Sequence, residues 1–141
     1  MAQKQIPKKE QLIVILDSNA FFVPLQFKID IFAELKGLLN RNFELVLLPP
    51  VRMELERLAE TGSPKTAKNA SYALKIAEKC KFVEVDVRTF ASVDDAIVEK
   101  AREWNCMVFT NDRALKKRLR NINVPVIYVR QKSRLGIDGR L

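Results

Sequence analysis

A chain of 141 residues with 48% hydrophobic and 30% charged content fits one soluble globular domain. The net charge is +8 and there is no histidine, which removes every mechanism that needs an imidazole, including Ser-His-Asp triads and His-based zinc sites. Hydrolytic chemistry in such a chain must come from carboxylates, most plausibly with a hard cation such as Mg²⁺ or Mn²⁺.

Residues 1–11 read as a flexible basic tail. They have no apolar leader core, and no apolar run in the chain can span a bilayer. The expected location is therefore the cytoplasm, with no membrane contact. Leu12-Ile13-Val14-Ile15-Leu16 is an unbroken apolar run, the pattern of a strand buried on both faces of a parallel sheet. It stops at Asp17-Ser18-Asn19, three residues that favour turns and helix caps. The spacing of Ile29, Phe32, Leu35, Leu38 and Leu39 predicts a helix over 28–40, broken by Asn40-Arg41-Asn42.

A second strand is expected over 43–48, closed by Pro49-Pro50. Val51, Leu55 and Leu58 mark a helix ending near Gly62, and Ser63-Pro64 opens another with Ala67, Ala70, Leu74 and Ala77 on its packed face. Residues 82–85 read as a third, weaker strand. Ser92 starts a helix with Ile97, Ala101 and Trp104 on its core side. A fourth strand covers 107–109 and ends at Thr110-Asn111-Asp112. A short basic helix over 113–120, a fifth strand over 124–129 and a basic tail over 131–141 complete the chain. Cys80 and Cys106 read as isolated thiols. The alternation predicts one domain over residues 12–130, a three-layer α/β/α fold on a parallel sheet of four to five strands.

In such sheets ligands bind beyond the carboxyl ends of the strands. Asp17 directly follows the first strand and Asp112 closely follows the fourth. Asp94 lies in the first turn of the helix before that strand, and Glu54 lies one turn into the helix after the second. All four are placed to reach one edge. Glu54 shares its side with Val51 and Leu58, whereas Glu56 is expected to face solvent. Ser92-x-x-Asp95 matches a capping box, leaving Asp94 as the free carboxylate; the alternative has both acids serving a metal, Asp95 through water. Each acid also has an ordinary structural reading, Asp17 and Asp112 as helix N-caps, Asp94 as a charge at a helix dipole and Glu54 as a surface charge. Clustered carboxylates repel one another, and a cation removes that cost.

The charge excess is concentrated. From residue 112 onward there are nine Lys/Arg and two Asp/Glu, so 9 − 2 = +7 lies in the last fifth of the chain. Lys116, Lys117, Arg118, Arg120, Arg130, Lys132 and Arg134 form a basic strip suited to a phosphate polyanion, or a solvated face.

The strings ILDSNAFF, LPPVRMELERL, SVDDAIVEKA, VFTNDRALKKRL and VPVIYVR, in that order, resemble the PIN-domain family of metal-dependent ribonucleases. The branch linked to ribosomal RNA processing looks closer than the toxin nucleases of toxin–antitoxin pairs. The resemblance implies an endoribonuclease whose Asp17, Glu54, Asp94 and Asp112 hold Mg²⁺ or Mn²⁺ for in-line attack of water on phosphorus, leaving a 3′-hydroxyl and a 5′-phosphate. Asn19, Asp95, Thr110 and Asn111 would support ligands or the scissile phosphate, or merely cap helices. RNA is the implied partner; a homodimer and a protein partner in RNA processing stay open. The rival from another class is a non-catalytic RNA-binding subunit that keeps the basic strip and uses the acids only for structure.

Overall fold

The computed structural model describes residues 11–140. Strands β1 (Leu12–Leu16), β2 (Phe43–Leu47), β3 (Lys81–Phe82), β4 (Met107–Phe109), β5 (Val126–Arg130) and β6 (Arg134–Asp138) form one sheet in the order β3-β2-β1-β4-β5-β6. The first five run parallel, and β6 pairs antiparallel with β5. Helices α1 (Val23–Phe27), α2 (Ile31–Leu39), α3 (Pro49–Thr61), α4 (Pro64–Ala77), α5 (Val93–Trp104) and α6 (Arg113–Asn121) provide the crossovers. Right-handed crossovers put α2 to α4 on one face and α5 and α6 on the other, which gives the three layers the alternation predicts. β1 is buried from Ile13 to Leu16, as its apolar run requires between two helical layers.

The chain moves from β1 to one side of the sheet and later crosses back to place β4 on the other. The reversal opens a crevice between the carboxyl ends of β1 and β4, the place where such sheets bind ligands.

Several boundaries differ from the sequence reading. The helix expected over 28–40 begins at Ile31, because Asp30 caps it by accepting from the Ala33 N–H at 3.2 Å. Residues 18–27, given no helix by periodicity, form a 3₁₀ turn over Ser18–Phe22 and then α1. Asp17 caps the turn, and Pro24 sits at the start of α1. The third strand is cut to two residues, although the Val83 N–H still reaches the Leu47 carbonyl at 3.1 Å. β5 starts at Val126 because the Val124 N–H closes α6 on the Leu119 carbonyl and Pro125 has no N–H.

The largest correction lies at the carboxyl terminus. The tail expected over 131–141 contains β6, so the sheet has six strands and a mixed edge. Leu135 is buried, and its N–H is met by the Glu34 carboxylate of α2 at 3.1 Å. That carboxylate covers part of the edge strand. Of the amino-terminal tail, residues 1–10 lie outside the described residues. No helix among the described residues is long and apolar enough to cross a membrane.

Candidate active site

Asp17 is the most constrained carboxylate at the crevice. It is 4% exposed, and both oxygens accept hydrogen bonds. Its Oδ1 takes the Ser18 N–H at 2.8 Å; its Oδ2 takes the Asn19 amide at 2.9 Å and the Thr110 hydroxyl at 2.8 Å. Parallel pairing of Leu16 with Phe109 brings residues 17 and 110 together, and the Asp17 N–H extends the ladder to the Phe109 carbonyl at 3.0 Å. Thr110 is fully buried. Its oxygen also accepts the Asp112 N–H at 3.0 Å, so one hydroxyl connects two acids. Asp112 caps α6 by accepting from the Leu115 N–H at 3.1 Å. The capping reading therefore holds for both residues.

Burial pushes the Asp17 carboxyl above its ordinary value; the bonds from Thr110 and Ser18 oppose the rise, and the charges of Asp94 and Glu54 add to it. Asp94 is raised too, first by burial and then by Asp112, with Arg118 opposing and Glu54 and Asp95 adding smaller repulsions. The four acids picked from the sequence thus share one electrostatic neighbourhood. Glu54 is half-buried, whereas Glu56 is exposed and paired with Arg52 at 3.3 Å. Their periodicity on α3 anticipates that division.

Among the described residues no three carboxylates stand together in ligating geometry. The donor set is nevertheless all oxygen, at a place where burial and mutual repulsion both disfavour the charged form. That combination suits a hard divalent cation and no soft one.

The capping box at α5 is only half formed. The Ser92 hydroxyl accepts the Asp95 N–H at 3.1 Å. The Asp95 carboxylate, however, takes the Arg118 guanidinium of α6 at 2.9 Å instead of a helix-end amide. Charge attraction across two helices outweighs a local cap here.

The supporting residues form a continuous network. Asn19 accepts the Asn111 N–H at 3.0 Å, and the Asn111 Oδ1 accepts the Val129 N–H at 2.8 Å. The basic strip divides. On α6, Arg118 is held by Asp95; Lys116 and Arg120 are held by Asp138 of β6 at 3.3 and 3.4 Å. Lys117, Arg130, Lys132 and Arg134 are exposed. Sequence reasoning missed Tyr128, Gly136 and Asp138 as partners of these cations. Alternation along VIYVR puts Tyr128 on the face of Arg130, but a reading that ends the fold at residue 130 leaves Gly136 and Asp138 in a tail. Cys80 and Cys106 are unpaired, and burial raises both thiols to about 12.

Residues 14–132 match the family described as PIN like domain. The chain is 35% identical over 127 residues to Ribonuclease VapC4 of Methanocaldococcus jannaschii, covering 89% of this chain and 96% of that protein. It is 33% identical over 121 residues to the rRNA-processing protein fcf1 of Schizosaccharomyces pombe, covering 82% of this chain and 58% of the relative. Among solved structures, that of the PIN domain endonuclease Utp24 superimposes with a TM-score of 0.74 at 30% identity, covering 92% of each chain. VapBC2 from Rickettsia felis superimposes with a TM-score of 0.62 at 18% identity, covering 84% of this chain and 100% of that one, and speaks for the fold alone.

Proposed function

The chain belongs to the PIN-like domain family, and from that premise we infer that it is a divalent-metal-dependent endoribonuclease acting at the acidic edge between β1 and β4. The observation that carries the reading is the shared electrostatic neighbourhood of Asp17, Glu54, Asp94 and Asp112 at the switch point of the sheet. Asp17 and Asp112 are the direct ligands in this reading. Glu54 and Asp94 bind metal through water or position the attacking water. A bound Mg²⁺ or Mn²⁺ would activate that water and offset charge on the phosphate.

Thr110 and Asn19 fix the Asp17 carboxylate with two side-chain donors, so its oxygens need no reorganisation on ligand binding. Asp95 keeps Arg118 beside Asp94, holding one cation next to the cluster. The products are a 3′-hydroxyl and a 5′-phosphate. The substrate setting we favour is ribosomal RNA processing with a protein partner, because the rRNA-processing protein fcf1 is among the relatives. A toxin ribonuclease is the second reading, supported by the likeness to VapC4 along nearly its whole length. Two unpaired, weakly acidic thiols fit a reducing cytoplasm.

The test is cleavage of structured and unstructured RNA with Mg²⁺, Mn²⁺ or EDTA, comparing the wild type with Asp17→Asn and Asp112→Asn. Metal-dependent cleavage that either substitution abolishes, with RNA binding kept, supports the enzyme. RNA handling indifferent to EDTA and to both substitutions would leave a non-catalytic RNA-binding subunit.

A further inference from the structure

Arg130 and Arg134 stand directly opposite each other across the β5–β6 ladder. Facing residues share one side of a hairpin, and like charges at such a pair destabilise it. Both are exposed, and none of the ion pairs among the described residues supplies either with a carboxylate. The turn between them adds a second cost. Gln131 and Lys132 have φ of 55° and 61°, and the Ser133 N–H returns to the Arg130 carbonyl at 3.2 Å. Two successive left-handed residues suit Asn-Gly, not Gln-Lys.

The Arg130 stem is braced in place. A Cβ on Gly136 would lie 3.3 Å from the Arg130 Cδ and 3.5 Å from the Tyr128 Cζ, so the glycine lets the arginine lie across the ladder. Lys116 Nζ sits 3.9 Å from the centre of the Tyr128 ring, next along this face. Arg130, Lys132 and Arg134 thus form an uncompensated cluster on a strained turn, which an arriving polyanion would relieve.

Its location ties it to the acids. β5 runs parallel to β1 and β4, so the turn after Arg130 emerges at the edge that carries Asp17 and Thr110. Three hydrogen bonds join the two: Asn19 to the Asp17 Oδ2 at 2.9 Å, the Asn111 N–H to the Asn19 Oδ1 at 3.0 Å, and the Val129 N–H to the Asn111 Oδ1 at 2.8 Å. Val129 is the residue before Arg130.

We propose that the tip of the β5–β6 hairpin is a clamp for the RNA backbone, in which Arg130, Lys132 and Arg134 grip phosphates flanking the scissile one. Asn111 is a positioning residue that sets the clamp relative to the Asp17 carboxylate. This rests on the nuclease reading above and deepens it, since three of the four strip cations on α6 are held by Asp95 and Asp138.

The test measures anisotropy of a labelled single-stranded RNA in EDTA over a salt series. Arg130→Ala/Lys132→Ala lowers the salt slope by about 1.4, the loss of two single-strand phosphate contacts. Lys68→Ala/Lys75→Ala, an equal charge change at exposed positions of α4, leaves the slope as it is. Equal losses in both doubles, or none in the hairpin double, overturn the clamp. Lys132→Gly guards against misfolding: it relieves the left-handed backbone, so Tm rises while RNA affinity falls several-fold. A rise in Tm with unchanged affinity counts against the clamp. Asn111→Ala keeps the salt slope but lowers kcat at saturating RNA at least tenfold; parallel loss of affinity and kcat removes its positioning role. Binding is read without cleavage, so a wild type that binds through the tip but cuts no RNA sinks the nuclease reading and not the clamp.

Discussion

The Thr110 hydroxyl donates to the Asp17 carboxylate at 2.8 Å from ninety-three positions away, with both groups buried. The same oxygen accepts the Asp112 N–H, so it orients two acids at once. Thr110→Val keeps the shape and removes the hydroxyl. It leaves the Asp112 N–H without that acceptor and Asp17 with one donor fewer. The expected outcome is a stability loss of about 1–3 kcal/mol in urea unfolding, with single-turnover cleavage down at least tenfold. Thr110→Ser should restore most of both. Full activity in the Val variant would show that Asp17 needs no such support.

Asp94 is raised above its ordinary 3.8 by burial first and by Asp112 next. An acid raised in the fold contributes stability that is complete below about 3.8, its unfolded value, and lost as pH climbs through the folded one. Once charged, Asp94 therefore costs the fold stability, which a bound cation would offset. Asp94→Asn should raise Tm in EDTA at pH 7 and have little effect at pH 3. Mg²⁺ or Mn²⁺ should raise the wild-type Tm more than the variant's, while the variant loses cleavage. Calorimetry with and without metal reads both; a variant less stable in EDTA at pH 7 would contradict the repulsion.

Arg118 was a candidate RNA contact in the sequence, but its guanidinium is held by Asp95 and lowers the Asp94 pKa. Arg118→Gln should leave Asp94 protonated to higher pH, so the acid limb of the pH–rate profile moves upward. The salt slope of RNA binding should change little. A steep loss of salt dependence with an unmoved acid limb would restore Arg118 to the RNA surface.

Much of this was legible in the sequence because burial writes itself plainly there. The run from Leu12 to Leu16 and the abrupt polar stop at Asp17 mark the first strand and the carboxyl edge where the candidate acids gather. Helical spacing separated Glu54 from Glu56. What stayed hidden depended on partners distant in sequence. The capping box at Ser92 could not show that Arg118 would claim the Asp95 carboxylate. Arg134–Asp138 has only five residues, two charged ends and a glycine, and becomes a strand because β5 offers it an open edge. The short 3₁₀ turn over Ser18–Phe22 has no period to detect; it forms because Asp17 caps it.

Asp138 gathers Lys116 and Arg120 at 3.3 and 3.4 Å and so pins β6 to α6. Exposed and half-exposed pairs of this kind are worth about 0–1 kcal/mol each, and Asp138→Asn removes both while keeping a polar side chain. Two effects then compete. The hairpin loses part of its anchor, for a small drop in Tm. Lys116 and Arg120 lose their counter-charge, and net charge rises by one. Arg120 keeps its bond to the Val124 carbonyl at 3.3 Å and stays near the amino ends of the strands, away from the acids. Lys116, over the Tyr128 ring on the side of Arg130, is the cation the substitution releases toward RNA. RNA affinity at low salt should therefore increase about two- to fivefold, with the salt slope larger by about 0.7, one single-strand contact. A weaker-binding Asp138→Asn would mean that anchoring the hairpin matters more to RNA than the cation Asp138 restrains.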